Sequence, residues 1–144
     1  MEKSKERCVA EAMITEYLKM KKGEYLAITA DQGSNFPQLE AYLDVCHEKG
    51  IRCTILKTAT PLGQSKAAEE TVPVDATREF LMNVDCWIDA GSKGLLYGDI
   101  YEYVMNNNKK IRYMLTINLS TNLLYEMYCS FHVDKMVELT NLMK

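Results

Sequence analysis

Residues Tyr25-Leu26-Ala27-Ile28-Thr29-Ala30 form a short, mostly apolar run that decides the fold class. A run of this length without alternating polar positions is typical of a strand that is buried on both faces. The run is followed by Asp31-Gln32-Gly33-Ser34-Asn35, a cluster of turn-forming residues. We therefore predict a central strand of a parallel sheet at this position.

The pattern of a strand followed by a helix recurs along the chain. Further strands are predicted at 51–56, 86–90 and 111–117. Helices are predicted at 2–21, from the 31–35 turn to Lys49, at 76–83 with Asp75 as the N-cap, at about 96–106, at 119–128 and at 134–143. Residues 60–75 are predicted to be a long polar connection.

Alternating strands and helices at this spacing predict βαβ crossovers, which are right-handed in nearly all proteins. We predict one α/β domain over residues 1–144, with three layers and a mainly parallel sheet of about four strands. Both a Rossmann-like and a flavodoxin-like strand order are compatible with the pattern.

The composition of the chain excludes several classes of protein. Its 17 basic and 20 acidic residues give a formal net charge of −3, which argues against a nucleic-acid binder. No apolar run approaches the length of a membrane span, and the charged N-terminus does not resemble a secretory signal. The five cysteines, Cys8, Cys46, Cys53, Cys86 and Cys129, form no C-x-x-C pair and indicate free thiols. We expect a cytoplasmic protein without a membrane or nucleic-acid partner.

Candidate binding residues follow the first and third predicted strands, because ligands of such sheets bind beyond the carboxyl ends of the strands. The predicted substrate-binding residues are Asp31, Ser34, Asn35, Asp89 and Ser92. Four of them also have a structural interpretation, since the first three suit helix capping and Asp89 can bond to the backbone of its own loop. The glycine spacing matches neither a dinucleotide fingerprint nor a P-loop.

Catalytic and metal-binding patterns are missing from the sequence. The two histidines, His47 and His132, are far apart and belong to no H-E-x-x-H motif, and no G-x-S-x-G elbow is present. Asn118, Ser120 and Thr121 suit an N-cap and its neighbours. We therefore assign no catalytic, metal-binding or cofactor-binding residue to this chain.

Several segments resemble a known family. The segments 20–28 (MKKGEYLAI), 84–89 (VDCWID), 112–117 (RYMLTI) and 133–136 (VDKM) resemble the amino-terminal domain of the M29 (aminopeptidase T-like) metallopeptidases. The segments 95–98 (LLYG) and 117–120 (INLS) are similar to the related 2,5-dihydroxypyridine dioxygenases. The resemblance implies a two-domain enzyme whose Glu, His, Tyr and Asp metal ligands lie in a carboxy-terminal domain, and no such ligand matches a position here.

Three roles follow as hypotheses. The chain is the amino-terminal domain of an M29-like or dioxygenase-like Fe(II) enzyme, inactive alone, that shapes the cleft or dimer contacts and needs a divalent metal only through a carboxy-terminal domain. Alternatively, it is a stand-alone domain that binds a small molecule. In the third role it assembles as a homodimer through its two closing helices, whose apolar residues include Leu123, Leu124, Met127, Met136 and Leu139.

Overall fold

A computed structural model describes residues 2–130 and 133–144, and its sheet has four parallel strands. The strands are β1 (Tyr25–Asp31), β2 (Arg52–Thr58), β3 (Cys86–Asp89) and β4 (Arg112–Leu115). Their order is β2-β1-β3-β4, and helices cover both faces. The predicted α/β class is confirmed, and this order is the flavodoxin-like one of the two left open by the sequence.

Helices precede, separate and follow the strands along the chain. They are α1 (Lys5–Glu11), which continues as wider π-helical turns at Ala12–Tyr17, then α2 (Phe36–Glu48), α3 (Val74–Leu81), α4 (Asp99–Asn107), α5 (Thr121–Tyr128) and α6 (Val133–Leu142). Among the described residues, no helix combines the length and apolar character that crossing a membrane requires.

The alternation of side chains along β1 and β3 separates two apolar cores. Leu26 and Ile28 of β1 face the layer of α1, α2 and α5, together with Ile88 of β3. Ala27 and Trp87 face the opposite layer, which α3 and α4 form. Both faces of β1 are covered by these helix layers, and β2 and β3 pair with its two edges. This explains why its sequence is a nearly unbroken apolar run.

The reversal of strand order falls between β1 and β3. The chain moves from β1 to β2 on one side and then returns to place β3 on the other side. The loops that follow β1 and β3 therefore diverge to opposite faces of the sheet. Ligands of open α/β sheets bind in the crevice that such a divergence creates.

Two predicted helix starts are wrong, and a special backbone conformation explains each. The helix predicted at 76–83 begins two residues earlier, at Val74, and Pro73 rather than Asp75 occupies its N-cap position. The fixed φ of proline, −71° here, suits the start of a helix. The helix predicted from 96 begins at Asp99, because Tyr97 adopts a left-handed φ of 64° that a helix does not tolerate.

Other boundaries shift by a few residues. The predicted first helix, 2–21, ends at Tyr17, and Lys19 has a left-handed φ of 49°. The strand predicted at 111–117 is limited to Arg112–Leu115. The helix predicted at 119–128 begins at Thr121, and Ser120 is its N-cap, as its residue type predicted.

The predicted polar connection at 60–75 contains a 3₁₀ helix, Ser65–Thr71, with a buried carboxylate. Glu69 Oε1 accepts a hydrogen bond of 2.6 Å from the backbone N–H of Ile100, in the first turn of α4. Gly98 makes room for this carboxylate, since a Cβ atom there would lie 2.7 Å from Oε1. Glu69 thus caps α4 from a distant segment of the chain.

We expect Glu69→Ala to lower the free energy of unfolding by about 1–2 kcal/mol, because it removes the acceptor of a buried N–H group. Urea unfolding followed by circular dichroism measures the change. Glu70→Ala, at the exposed neighbouring position, is the matched control. Equal stability of the two variants would contradict the capping role.

Candidate functional site

The five predicted site residues all lie beyond or at the carboxyl ends of β1 and β3, but the sheet divides them. Ser34, Asn35 and Ser92 line a cleft on the face covered by α2 and α5. Asp31 and Asp89 are the last residues of β1 and β3. They line a much smaller cavity on the face covered by α3 and the 3₁₀ helix. Ligand binding by these five residues stays a prediction.

The carboxylate of Asp31 joins the two diverging loops. Its Oδ1 atom accepts a hydrogen bond of 2.8 Å from Gly33 N, in the loop after β1. Its Oδ2 atom accepts from the backbone N–H of Ser92 at 2.8 Å and from the Ser92 hydroxyl at 2.9 Å. The side chain is buried. Asp31 therefore holds the loops in position with both oxygens.

The hydroxyl of Ser34 makes a second connection between the same loops. It accepts a hydrogen bond of 2.9 Å from Asp31 N and donates one of 2.8 Å to the carbonyl of Ala90. The loops are in close contact here, because a Cβ atom at Gly33 would lie 3.1 Å from the Cβ of Ser92. Ser34 and Asp31 thus join the loop after β1 to the loop after β3, at the position between the two sides of the crevice.

Asp89 is the end of a buried hydrogen-bond chain. The indole N–H of Trp87 donates to Thr29 Oγ1 at 2.9 Å, and the Thr29 hydroxyl donates to Asp89 Oδ1 at 3.0 Å. Asp89 Oδ2 accepts from Leu95 N at 2.6 Å and from the Tyr113 hydroxyl at 3.2 Å. Burial raises the pKa of Asp89 above its ordinary value, although these hydrogen bonds act in the opposite direction.

The cavity beside Asp89 has a volume of about 30 Å³, which is room for one or two water molecules. Asp89 is 1% exposed, and its oxygens already bond to the backbone and to two hydroxyl groups. The arrangement fixes the loop that runs from Gly91 to Leu95.

We expect the Asp89 carboxyl group to make stability depend on pH. Its pKa is raised in the folded state, so its contribution is largest below the ordinary value of 3.8 and is lost as the pH rises through the raised pKa. The unfolding free energy of the wild type relative to Asp89→Asn should therefore fall over this range. Urea unfolding of both proteins at a series of pH values measures the difference.

Asp44→Asn, at an exposed position on α2, controls for the loss of one carboxylate in that titration. A difference between wild type and Asp89→Asn that grows with pH would show that hydrogen bonding, rather than burial, dominates at Asp89.

The cleft on the other face lies between the first turns of α2 and α5 and the carboxyl ends of β3 and β4. Its volume is about 430 Å³, within the range of small-molecule sites. The polar residues that line it include Ser34, Asn35, Gln38, Ser92, Thr116 and Thr121. Leu39 and Leu124 contribute apolar surface. Among the described residues, none of those lining the cleft carries a charged side chain.

Both helix starts at the cleft are capped by their own side chains. Asn35 Oδ1 accepts from Gln38 N at 3.4 Å, and Ser120 Oγ accepts from Leu123 N at 3.2 Å. Asn35 also reaches across the opening, because its Nδ2 group donates a hydrogen bond of 3.0 Å to Thr121 Oγ1. The mouth of the cleft is thus held by a direct contact between α2 and α5.

Sequence reasoning missed two residues of the cleft, Gln38 and Tyr42. Both lie on the buried face of α2 and are 1% exposed. Within the described part of the chain, Gln38 Oε1 and the Tyr42 hydroxyl have no hydrogen-bond partner. Their spacing of four residues, on the face that also holds Leu39 and Cys46, is the signal that could have found them.

No metal centre emerges from the described residues, where no group of three or more His, Cys, Asp or Glu side chains could hold an ion. His47 lies in the last turn of α2 and is exposed, whereas the prediction for His132 falls outside the described residues. All five cysteines are free. The expectation that a divalent metal comes with a carboxy-terminal domain stays a prediction.

Solved structures that share this fold include two enzymes. 2,5-Dihydroxypyridine dioxygenase from Pseudomonas putida KT2440 matches 88% of this chain with a TM-score of 0.68 and 13% identity. Wild-type AmpT from Thermus thermophilus, an M29 aminopeptidase T, matches 86% of this chain with a TM-score of 0.53 and 9% identity. No family model matches the chain, and no curated protein matches its sequence.

The resemblance predicted from the sequence is confirmed at the level of the fold. The chain spans 38% of the length of the dioxygenase and 41% of the length of AmpT. It therefore has the fold of a part of each of these two proteins.

Proposed function

We propose that this chain is the α/β part of an enzyme related to the M29 aminopeptidases, in which it forms one wall of the substrate cleft. The metal ligands then lie in a second domain or in a partner chain. The observation that carries the proposal is the fold, which matches portions of an M29 aminopeptidase and of a dioxygenase over 86–88% of this chain.

The geometry at the carboxyl ends of the strands supports such a wall. The loops after β1 and β3 are joined through Asp31 and Ser34, so this edge of the sheet is rigid without a bound partner. Open α/β sheets place substrates at this edge. In a bipartite site, a rigid wall of this kind orients the substrate, while the other half supplies the metal chemistry.

We expect the purified chain to show no turnover when Zn²⁺, Co²⁺ or Fe²⁺ is added. Release of p-nitroaniline from leucine p-nitroanilide measures aminopeptidase activity, with AmpT as the positive control. The same substrate should shift the backbone NMR signals of residues 31–35 and 90–94, because the wall binds substrate without a metal. Turnover by this chain that a chelator abolishes would contradict the division of labour.

Alternatively, this chain is the corresponding part of an Fe(II) enzyme that resembles 2,5-dihydroxypyridine dioxygenase. The TM-score of 0.68 with that dioxygenase favours this alternative. The two alternatives differ in substrate. NMR shifts at the same edge with 2,5-dihydroxypyridine, and none with leucine p-nitroanilide, would favour the dioxygenase-like role.

A second role, assembly of two copies of this chain, is favoured by the exposed apolar residues of α5 and α6. Residues 134–142 of α6 are all exposed. The large apolar side chains exposed on these helices include Leu123, Met127, Val137, Leu139 and Leu142. Apolar surface of this kind often marks an interface.

We expect light scattering to show a dimer that dissociates on dilution, and Leu139→Glu to shift it to the monomer because a charge is costly in an apolar interface. Thr140→Glu, next to it on α6, is the matched control. A monomer at every concentration of the unmodified protein would exclude this role.

A further inference from the structure

We propose that Tyr113 is a redox-active tyrosine, which a one-electron oxidant at the protein surface oxidises through a relay of aromatic rings. The relay consists of Tyr97, Tyr101 and Tyr113, and the buried ring of Trp87 lies at its inner end. The oxidant belongs to the class of high-potential transition-metal complexes that accept a single electron. This activity is separate from the substrate wall and from the metal chemistry proposed above.

The rings form a continuous chain from solvent to the core. Tyr97 is 69% exposed, and its ring centroid lies 5.8 Å from that of Tyr101. The centroids of Tyr101 and Tyr113 are 5.1 Å apart, and Tyr113 lies 4.8 Å from the fully buried Trp87. These distances are typical of aromatic pairs in direct contact. Because each member of the relay is an oxidisable phenol, an electron can leave Tyr113 for the surface in short steps.

The outer ring of the relay is held by an unusual backbone conformation. Tyr97 has a left-handed φ of 64°, which is uncommon for a bulky residue. Residues in such conformations cluster at functional positions, where the surrounding structure maintains them. Core packing does not account for this conformation, since most of the Tyr97 side chain is exposed. It places an exposed phenol against Tyr101, where an oxidant can reach the relay.

The phenol of Tyr113 has a proton acceptor beside it. Its hydroxyl donates a hydrogen bond of 3.2 Å to Asp89 Oδ2. The Thr29 hydroxyl donates to Oδ1 and the backbone N–H of Leu95 donates to Oδ2, so the network suits an ionised carboxylate. Burial raises the pKa of Asp89, which makes its carboxylate a stronger base than an exposed one.

The oxidation joins the loss of an electron to the transfer of a proton. The electron leaves Tyr113 through Tyr101 and Tyr97 and reduces the oxidant by one electron. The O–H bond of Tyr113 breaks and its proton forms a bond to Asp89 Oδ2, which leaves a neutral tyrosyl radical beside a carboxylic acid. Among the described residues, the hydroxyl groups of Tyr97 and Tyr101 form no hydrogen bond, whereas that of Tyr113 does. The oxidising equivalent therefore comes to rest at Tyr113.

The test is flash photolysis of the full chain with tris(bipyridine)ruthenium and a cobalt(III) ammine complex, which generates a ruthenium(III) oxidant. We expect a tyrosyl radical, detected by its optical absorbance and by electron paramagnetic resonance. Tyr113→Phe should shorten its lifetime at least about tenfold, because no other tyrosine of the described residues bonds to a carboxylate. Tyr103→Phe, whose ring faces Arg78 outside the relay, is the matched control and should leave the lifetime unchanged.

Two variants test the proton acceptor and the relay separately. Asp89→Asn keeps the size of the side chain but removes the base, so the radical should form at least about tenfold more slowly. Tyr101→Phe interrupts the relay with a ring that this oxidant does not oxidise, and should lower the yield of the radical severalfold. Within the described residues the Tyr101 hydroxyl forms no hydrogen bond, so this variant tests the proposal without removing one. Circular dichroism verifies that each variant is folded.

The absence of a radical in the unmodified protein, or a lifetime that Tyr113→Phe leaves unchanged, would overturn the proposal. An equal effect of Tyr103→Phe, or a yield that Tyr101→Phe leaves unchanged, would also overturn it. These outcomes are distinct from those of the function proposed above. Failure of the radical assay leaves the enzymatic relationship standing, and metal-dependent turnover by the chain would leave the radical assay unaffected.

Discussion

The carboxylate of Asp31 is the interaction on which the carboxyl-terminal edge of the sheet depends. It is buried and receives hydrogen bonds from Gly33 in one loop and from Ser92 in the other. Hydrogen bonds to a charged acceptor are stronger than those between neutral groups. The two loops that diverge at the reversal of strand order are therefore held in a single arrangement, and the walls of the cleft are set before any ligand arrives.

The sheet separates two chemical environments at this edge. On one face, Thr29, Asp89 and Tyr113 form a satisfied hydrogen-bond network beside a cavity that is too small for most ligands. On the other face, uncharged side chains line a larger cleft. The difference follows from the alternation of side chains along β1 and β3, which sends adjacent residues to opposite faces.

The sequence predicted the central strands β1 and β3 well because strands that are buried on both faces have a strong local signal. The start of α4 was harder to predict, since Tyr97 adopts a left-handed conformation that is uncommon for a bulky residue. The capping of α4 by Glu69 joins segments that are distant in sequence. At the candidate site, Asp31 and Asp89 were predicted from their positions at the ends of strands. Only the structure shows that both carboxylates accept hydrogen bonds from groups of the protein itself. Gln38 was missed because it is polar and lies inside a helix, where only its spacing of four residues from Tyr42 marks its position on the buried face.

The position of Trp87 gives the protein an internal optical probe. It is the only tryptophan in the chain, it is fully buried in β3, and its indole N–H bonds to the Thr29 hydroxyl that also contacts Asp89. Its emission therefore comes from one place in the molecule, beside the central strand. Both the ionisation of Asp89 and the exposure of the core during unfolding would alter the surroundings of this one fluorophore, so both events are observable without an added label.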